Sequence, residues 1–85
     1  MQLKKYTDYA LRVLIFTGMK SDGELSNIRE ISEVFQISQN HLGKIVHELN
    51  KLKLIETIRG RNGGFRLAKP PEEINIGLVV RVLES

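Results

Sequence analysis

At 85 residues, with a net charge of +3 and 41% apolar side chains, the chain has room for one small domain with a core, and its composition is not that of a disordered segment. It contains no cysteine, which rules out a disulfide scaffold, a thiolate metal site and a cysteine nucleophile within these residues. No apolar run approaches the ~20 residues that span a bilayer, and the run after Lys4 and Lys5 is broken by Asp8 and Arg12, so no membrane segment or signal peptide is expected and the cytoplasm is the expected compartment.

The first helix is expected from about Thr7 to Lys20. Thr7 reads as its N-cap, and Asp8 places negative charge in the first turn, where it suits the helix dipole. Tyr6, Ala10, Val13 and Leu14 recur at helical spacing, and Leu11, Ile15 and Phe16 add a second apolar stripe, so this helix should pack on two sides. Tyr6 and Tyr9 are read as core residues. Ser21-Asp22-Gly23 ends the element.

A second helix should open at Asn27, where Asn27-Ile28-Arg29-Glu30 resembles a capping box. Ile28, Ile31 and Phe35 form its expected buried face, with Val34 beside them. A third helix follows almost at once, capped by Ser38. Its Leu42, Ile45, Val46, Leu49 and Leu52 fall at i, i+3, i+4, i+7 and i+10, an amphipathic stripe. The opposite face carries Gln39, Asn40, Lys44, His47 and Lys51. Two short helices joined by about three residues, the second with a polar and basic outer face, form a helix-turn-helix pattern.

Leu54 to Arg59 reads as a strand and Phe65 to Leu67 as its return, joined by the Gly-rich tip Gly60-Arg61-Asn62-Gly63-Gly64. A hairpin directly after a recognition helix is a wing. Pro70-Pro71 breaks the chain. Asn75 then caps a last helix, with Ile76, Val79, Val80 and Leu83 on one face and Leu78 and Val82 as a further apolar strip. The expected fold is therefore mainly α with a small β-hairpin, a winged helix-turn-helix.

Charge sharpens this reading. Residues 44–69 hold seven bases and two acids, whereas the rest of the chain is slightly acidic, which predicts one basic face for a polyanion. Side chains near the N-terminus of a recognition helix reach base edges in the major groove. Here these are Ser38, Gln39, Asn40, His41 and Lys44, with His47 further along. Gln39 or Asn40 suits adenine, and Lys44 suits guanine or phosphate. Gly43, lacking a side chain, permits close approach. On the wing, Arg59 and Arg61 flank Gly60 and suit a narrow minor groove. His41 and His47 are six residues apart, wrong for a shared metal on one helix face. No nucleophile–base–orienter set and no P-loop ending is present, so an enzyme is not expected. The partner is read as double-stranded DNA; a protein-interaction module is the alternative.

Four segments together resemble a known family. They are Tyr6-Thr7-Asp8-Tyr9-Ala10-Leu11-Arg12, the Ser38-to-Lys44 helix start, Ile58-Arg59-Gly60-Arg61-Asn62-Gly63-Gly64-Phe65-Arg66-Leu67, and Glu73-Ile74-Asn75-Ile76-Gly77. The chain is similar over nearly its whole length to the Rrf-type bacterial winged-helix transcriptional regulators, closest to their nitric-oxide-sensitive repressors. The resemblance implies a homodimeric, sequence-specific repressor. Residues 1–74 would be the DNA-binding domain and 75–85 the start of a dimerisation helix. It also implies an iron–sulfur cluster held by three cysteines that follow this point in the chain, with an aspartate from the partner subunit's first helix, a position matched by Asp8. These 85 residues carry none of those cysteines, so no cofactor is expected in them and the cluster belongs to a longer parent. A cluster-free regulator of the same family is the alternative.

Overall fold

The computed structural model describes residues 3–85. In chain order it contains α1 (Lys5–Gly18), α2 (Ile28–Phe35), α3 (Gln39–Lys51), β1 (Ile55–Ile58), β2 (Gly64–Leu67), a single 3₁₀ turn (Pro71–Glu73) and α4 (Ile76–Glu84). This is the winged helix-turn-helix expected from the sequence.

The core is assembled from the helical stripes. Ala10, Val13 and Leu14 of α1, Ile31 of α2, and Leu42, Ile45, Val46 and Leu49 of α3 are buried, and Ile55, Phe65, Val79 and Leu83 close the cluster from the hairpin and α4. Phe16 and Phe35 meet edge to face at 6.0 Å and join α1 to α2. The tight link between α2 and α3 has its own chemistry. Gln36 adopts a left-handed conformation (φ 58°), Ile37 is buried, and the Ser32 hydroxyl donates to the Ile37 carbonyl at 2.6 Å. Asn27, Ser38 and Asn75 each cap the following helix by accepting a backbone N–H.

The wing is a two-stranded antiparallel hairpin, with Ile55 opposite Leu67 and Ile58 opposite Gly64. It is tied to the body by a bridge to Ser26, whose N–H and C=O pair with those of Phe65 at 2.8 and 2.9 Å. That bridge explains Gly64, because a Cβ there would collide with the Ser26 carbonyl oxygen.

The structure corrects several local expectations. α1 begins at Lys5, and Thr7 is not its cap. Thr7 is fully buried and donates its hydroxyl to the Glu84 carboxylate, which also accepts the Lys4 backbone N–H at 3.1 Å. A carboxylate from the far end of the chain thus serves the first turn of α1, where negative charge is favoured. Val34 is exposed, because Ile28 and Phe35 lie on one flank of Ile31 and Val34 on the other. Ile76 is also exposed: it lies on the expected face of α4 but over an open apolar groove lined by Leu14, Ile15, Met19, Leu67 and Ile74. The first strand is one residue shorter at each end, Ile55–Ile58, and the second starts one residue earlier, Gly64–Leu67.

Candidate nucleic-acid interface

The stripe that buries Leu42, Ile45, Val46 and Leu49 turns the other side of α3 to solvent. Ser38, Gln39, Asn40, Lys44 and His47 are all exposed there. Ser38 spends its acceptor on the His41 N–H (3.1 Å), which leaves its hydroxyl proton free to donate. Gln39, Asn40, Gly43, Lys44 and His47 line one open groove together with Tyr6 and Glu48. His47 also lines the next groove, with Asn50, Lys53, Thr57 and Arg59. The outer face of α3 therefore continues into the wing through His47.

His41 is placed differently from its neighbours. It is half-buried, with its ring edge-on to Tyr9 at 5.3 Å and tilted against Tyr6 at 6.4 Å. Its side chain joins the start of α3 to the first turns of α1. Tyr6 and Tyr9, read from the sequence as core, are half-buried and pack against the core's edge.

At the wing tip the Gly63 N–H bonds the Gly60 carbonyl at 3.0 Å, so Arg61 and Asn62 are the central residues of a four-residue turn. Gly60 has φ +117°, a conformation that side-chain-bearing residues rarely adopt. Arg59 and Arg61 are exposed and form no ion pair among the described residues. Asn50 fixes the wing against α3: its Nδ2 donates to the Thr57 hydroxyl at 2.8 Å and to the Val46 carbonyl at 3.1 Å. Sequence reading missed this brace. The available signal was faint, a single Asn between the apolar Leu49 and Leu52.

The basic excess is less concentrated than the charge count implied. Arg66 is paired with its cross-strand neighbour Glu56 at 2.6 Å. Arg66 and Lys69 line a different groove, alongside Thr17, Asp22 and Glu24. Lys44, Lys51, Lys53, Arg59 and Arg61 remain as exposed cations of α3, the wing and the link between them. Tyr6 has its phenol pushed above the ordinary value by burial first and by the Glu48 carboxylate second, so the hydroxyl keeps its proton near neutrality.

The donors present do not fit an iron–sulfur cluster. Thiolates are absent from the sequence, and no three His, Asp or Glu side chains converge among the described residues. Asp8, the aspartate that the family resemblance singles out, is half-exposed and pairs with Arg12 one turn on, Oδ1 to Nε at 3.2 Å.

Comparison with known proteins agrees with the fold. Residues 3–85 match the family model described as Rrf2, iron-dependent transcriptional regulator. The HTH-type transcriptional regulator NsrR of Oceanobacillus iheyensis is 73% identical over 85 residues, covering 100% of this chain and 58% of that protein. NsrR of Bacillus subtilis is 57% identical, with the same coverage. Among solved structures, CymR, the global cysteine regulator of B. subtilis, superposes with a TM-score of 0.91 at 27% identity, over 99% of this chain and 65% of that one. IscR of T. potens gives 0.89 at 25% identity, over 100% and 62%. The chain thus spans a little over half the length of the curated relatives it matches.

Proposed function

The chain belongs to the Rrf2 family of transcriptional regulators, and on that premise we propose that it is a sequence-specific repressor that binds double-stranded DNA as a homodimer. The observation that carries this reading is the continuity between α3 and the wing: Gln39, Asn40, Lys44 and His47 share one groove, and His47 shares the next with Arg59. A duplex laid on this surface meets α3 in its major groove while the turn at Arg61 reaches the adjacent minor groove. Gln39 and Asn40 supply bidentate amides for adenine, Ser38 a hydroxyl donor, and Lys44 and His47 contacts to guanine or phosphate. Arg59 and Arg61 supply charge to the minor groove. His41 acts from behind by holding the start of α3 against Tyr9.

In this reading residues 1–74 form the DNA-binding domain and α4 opens the dimerisation element, with exposed Leu78 and Val82 facing a second copy. The protein would work in the cytoplasm, where bacterial DNA lies. No helix among the described residues is long and apolar enough to cross a membrane. Response to iron or nitric oxide through a cluster would require cysteines, which these 85 residues do not contain.

The test is binding to a duplex selected from random sequence by the wild-type protein. Arg61→Ala and Lys44→Ala should each weaken binding, and each lost phosphate contact should reduce the slope of log affinity against log salt by about one. If both variants bound like wild type, the reading would be abandoned.

A further inference from the structure

The groove along the outer face of α3 is walled on one side by a residue that belongs to another helix. Tyr6, in the first turn of α1, lines it together with Gln39, Asn40, Gly43, Lys44, His47 and Glu48. Its ring is held in place, half-buried beside the His41 ring. Its hydroxyl makes no hydrogen bond among the described residues, so the donor is uncommitted. The two residues before it, Lys4 and Lys5, are exposed cations.

From this geometry we infer that Tyr6 is a DNA-backbone contact, its hydroxyl donating a hydrogen bond to a phosphate that borders the major groove entered by α3. The inference rests on the DNA-binding reading above and adds α1 to the surface. Two physical points favour a phenol at this place. The groove already contains one cation and one anion, Lys44 and Glu48, so its charges roughly offset. A phosphate approaching it gains more from an oriented neutral donor than from net field. A ring fixed by its neighbours also loses little rotamer freedom on binding, unlike a lysine. Burial, and after it the carboxylate of Glu48, keep the phenol protonated, which is the form that donates.

Tyr6→Phe isolates the hydroxyl, because it keeps the ring against His41. Two probes are used: the duplex selected by the wild-type protein, and a random-sequence duplex of equal length. A lost hydrogen bond to a charged acceptor should weaken binding about tenfold, equally for both duplexes, since phosphate contacts carry no sequence information. The salt slope should stay at the wild-type value, because no charge has been removed, whereas Lys44→Ala lowers it by about one. The melting temperature should be unchanged. Wild-type affinity in Tyr6→Phe overturns the assignment, as does a loss confined to the selected duplex, which would mean base readout. A loss accompanied by a lower melting temperature overturns it too, in favour of a packing role. If the wild-type protein retains no duplex while remaining folded, the DNA-binding reading itself fails, a result distinct from all of these.

Discussion

Gly43 lies on the outer face of α3, where a methyl group built on its backbone would meet nothing within 4 Å. The fold gives no reason for glycine there, and a glycine inside a helix costs about 0.5–1 kcal/mol relative to alanine. Gly43→Ala should therefore raise stability by about that amount. It should also weaken DNA binding, because the new methyl group enters the groove that Gly43 lines with Asn40 and Lys44. Denaturant melts and a binding titration test both halves, and an alanine variant that is stabilised with undiminished affinity would show that α3 does not approach DNA closely at this point. Gly64 behaves oppositely. Its Cβ would collide with the Ser26 carbonyl oxygen and sit 3.0 Å from the Leu25 Cβ. Gly64→Ala should lose stability, by about 1–3 kcal/mol for overpacking against backbone.

Between elements, two joints are made by side-chain hydrogen bonds. Asn50 holds the wing to α3 through Thr57. Asn50→Ala should cost about 1 kcal/mol, and Thr57→Val should cost a similar amount by breaking the same bond. The double variant should be less destabilised than the two costs added together, the signature of a shared interaction. The second joint ties α4 to α1. The Thr7 hydroxyl, and after it the Lys4 backbone N–H and charge, hold the Glu84 carboxyl below its ordinary value of 4.5, against an opposing effect of desolvation. A depressed folded-state value contributes stability that is fully present above 4.5 and disappears as pH falls through the depressed value. Melting temperature should therefore drop on acidification through that window, and Glu84→Gln should flatten that part of the curve. These joints also mark what the sequence could and could not reveal. The helices were legible because their apolar stripes repeat every three or four residues, and Asn27, Ser38 and Asn75 are caps whose partners lie three residues away. Thr7 misled because a threonine before a helical stripe looks the same whether it caps its own helix or reaches 77 residues along the chain to Glu84. The basic stretch misled in part because the hairpin pairs Arg66 with Glu56 and places it in a groove away from α3.

For the whole molecule, the main energetic liability is the apolar surface that α4 leaves outside the core. Val79 and Leu83 are buried, whereas Leu78 and Val82 on the same helix are 53% and 44% exposed. A domain with principal extents of 39 × 28 × 20 Å has little core to spare, and two aliphatic side chains in water on α4 are a cost that a twofold contact would remove. Leu78→Glu combined with Val82→Glu should then leave the fold intact, since neither side chain is buried, while shifting sedimentation from dimer to monomer. DNA binding by the variant should fall steeply, because the two half-sites would no longer be held by one particle. A variant that still sediments as a dimer would move the interface elsewhere, and a wild-type protein that is monomeric both free and on DNA would remove the twofold arrangement altogether.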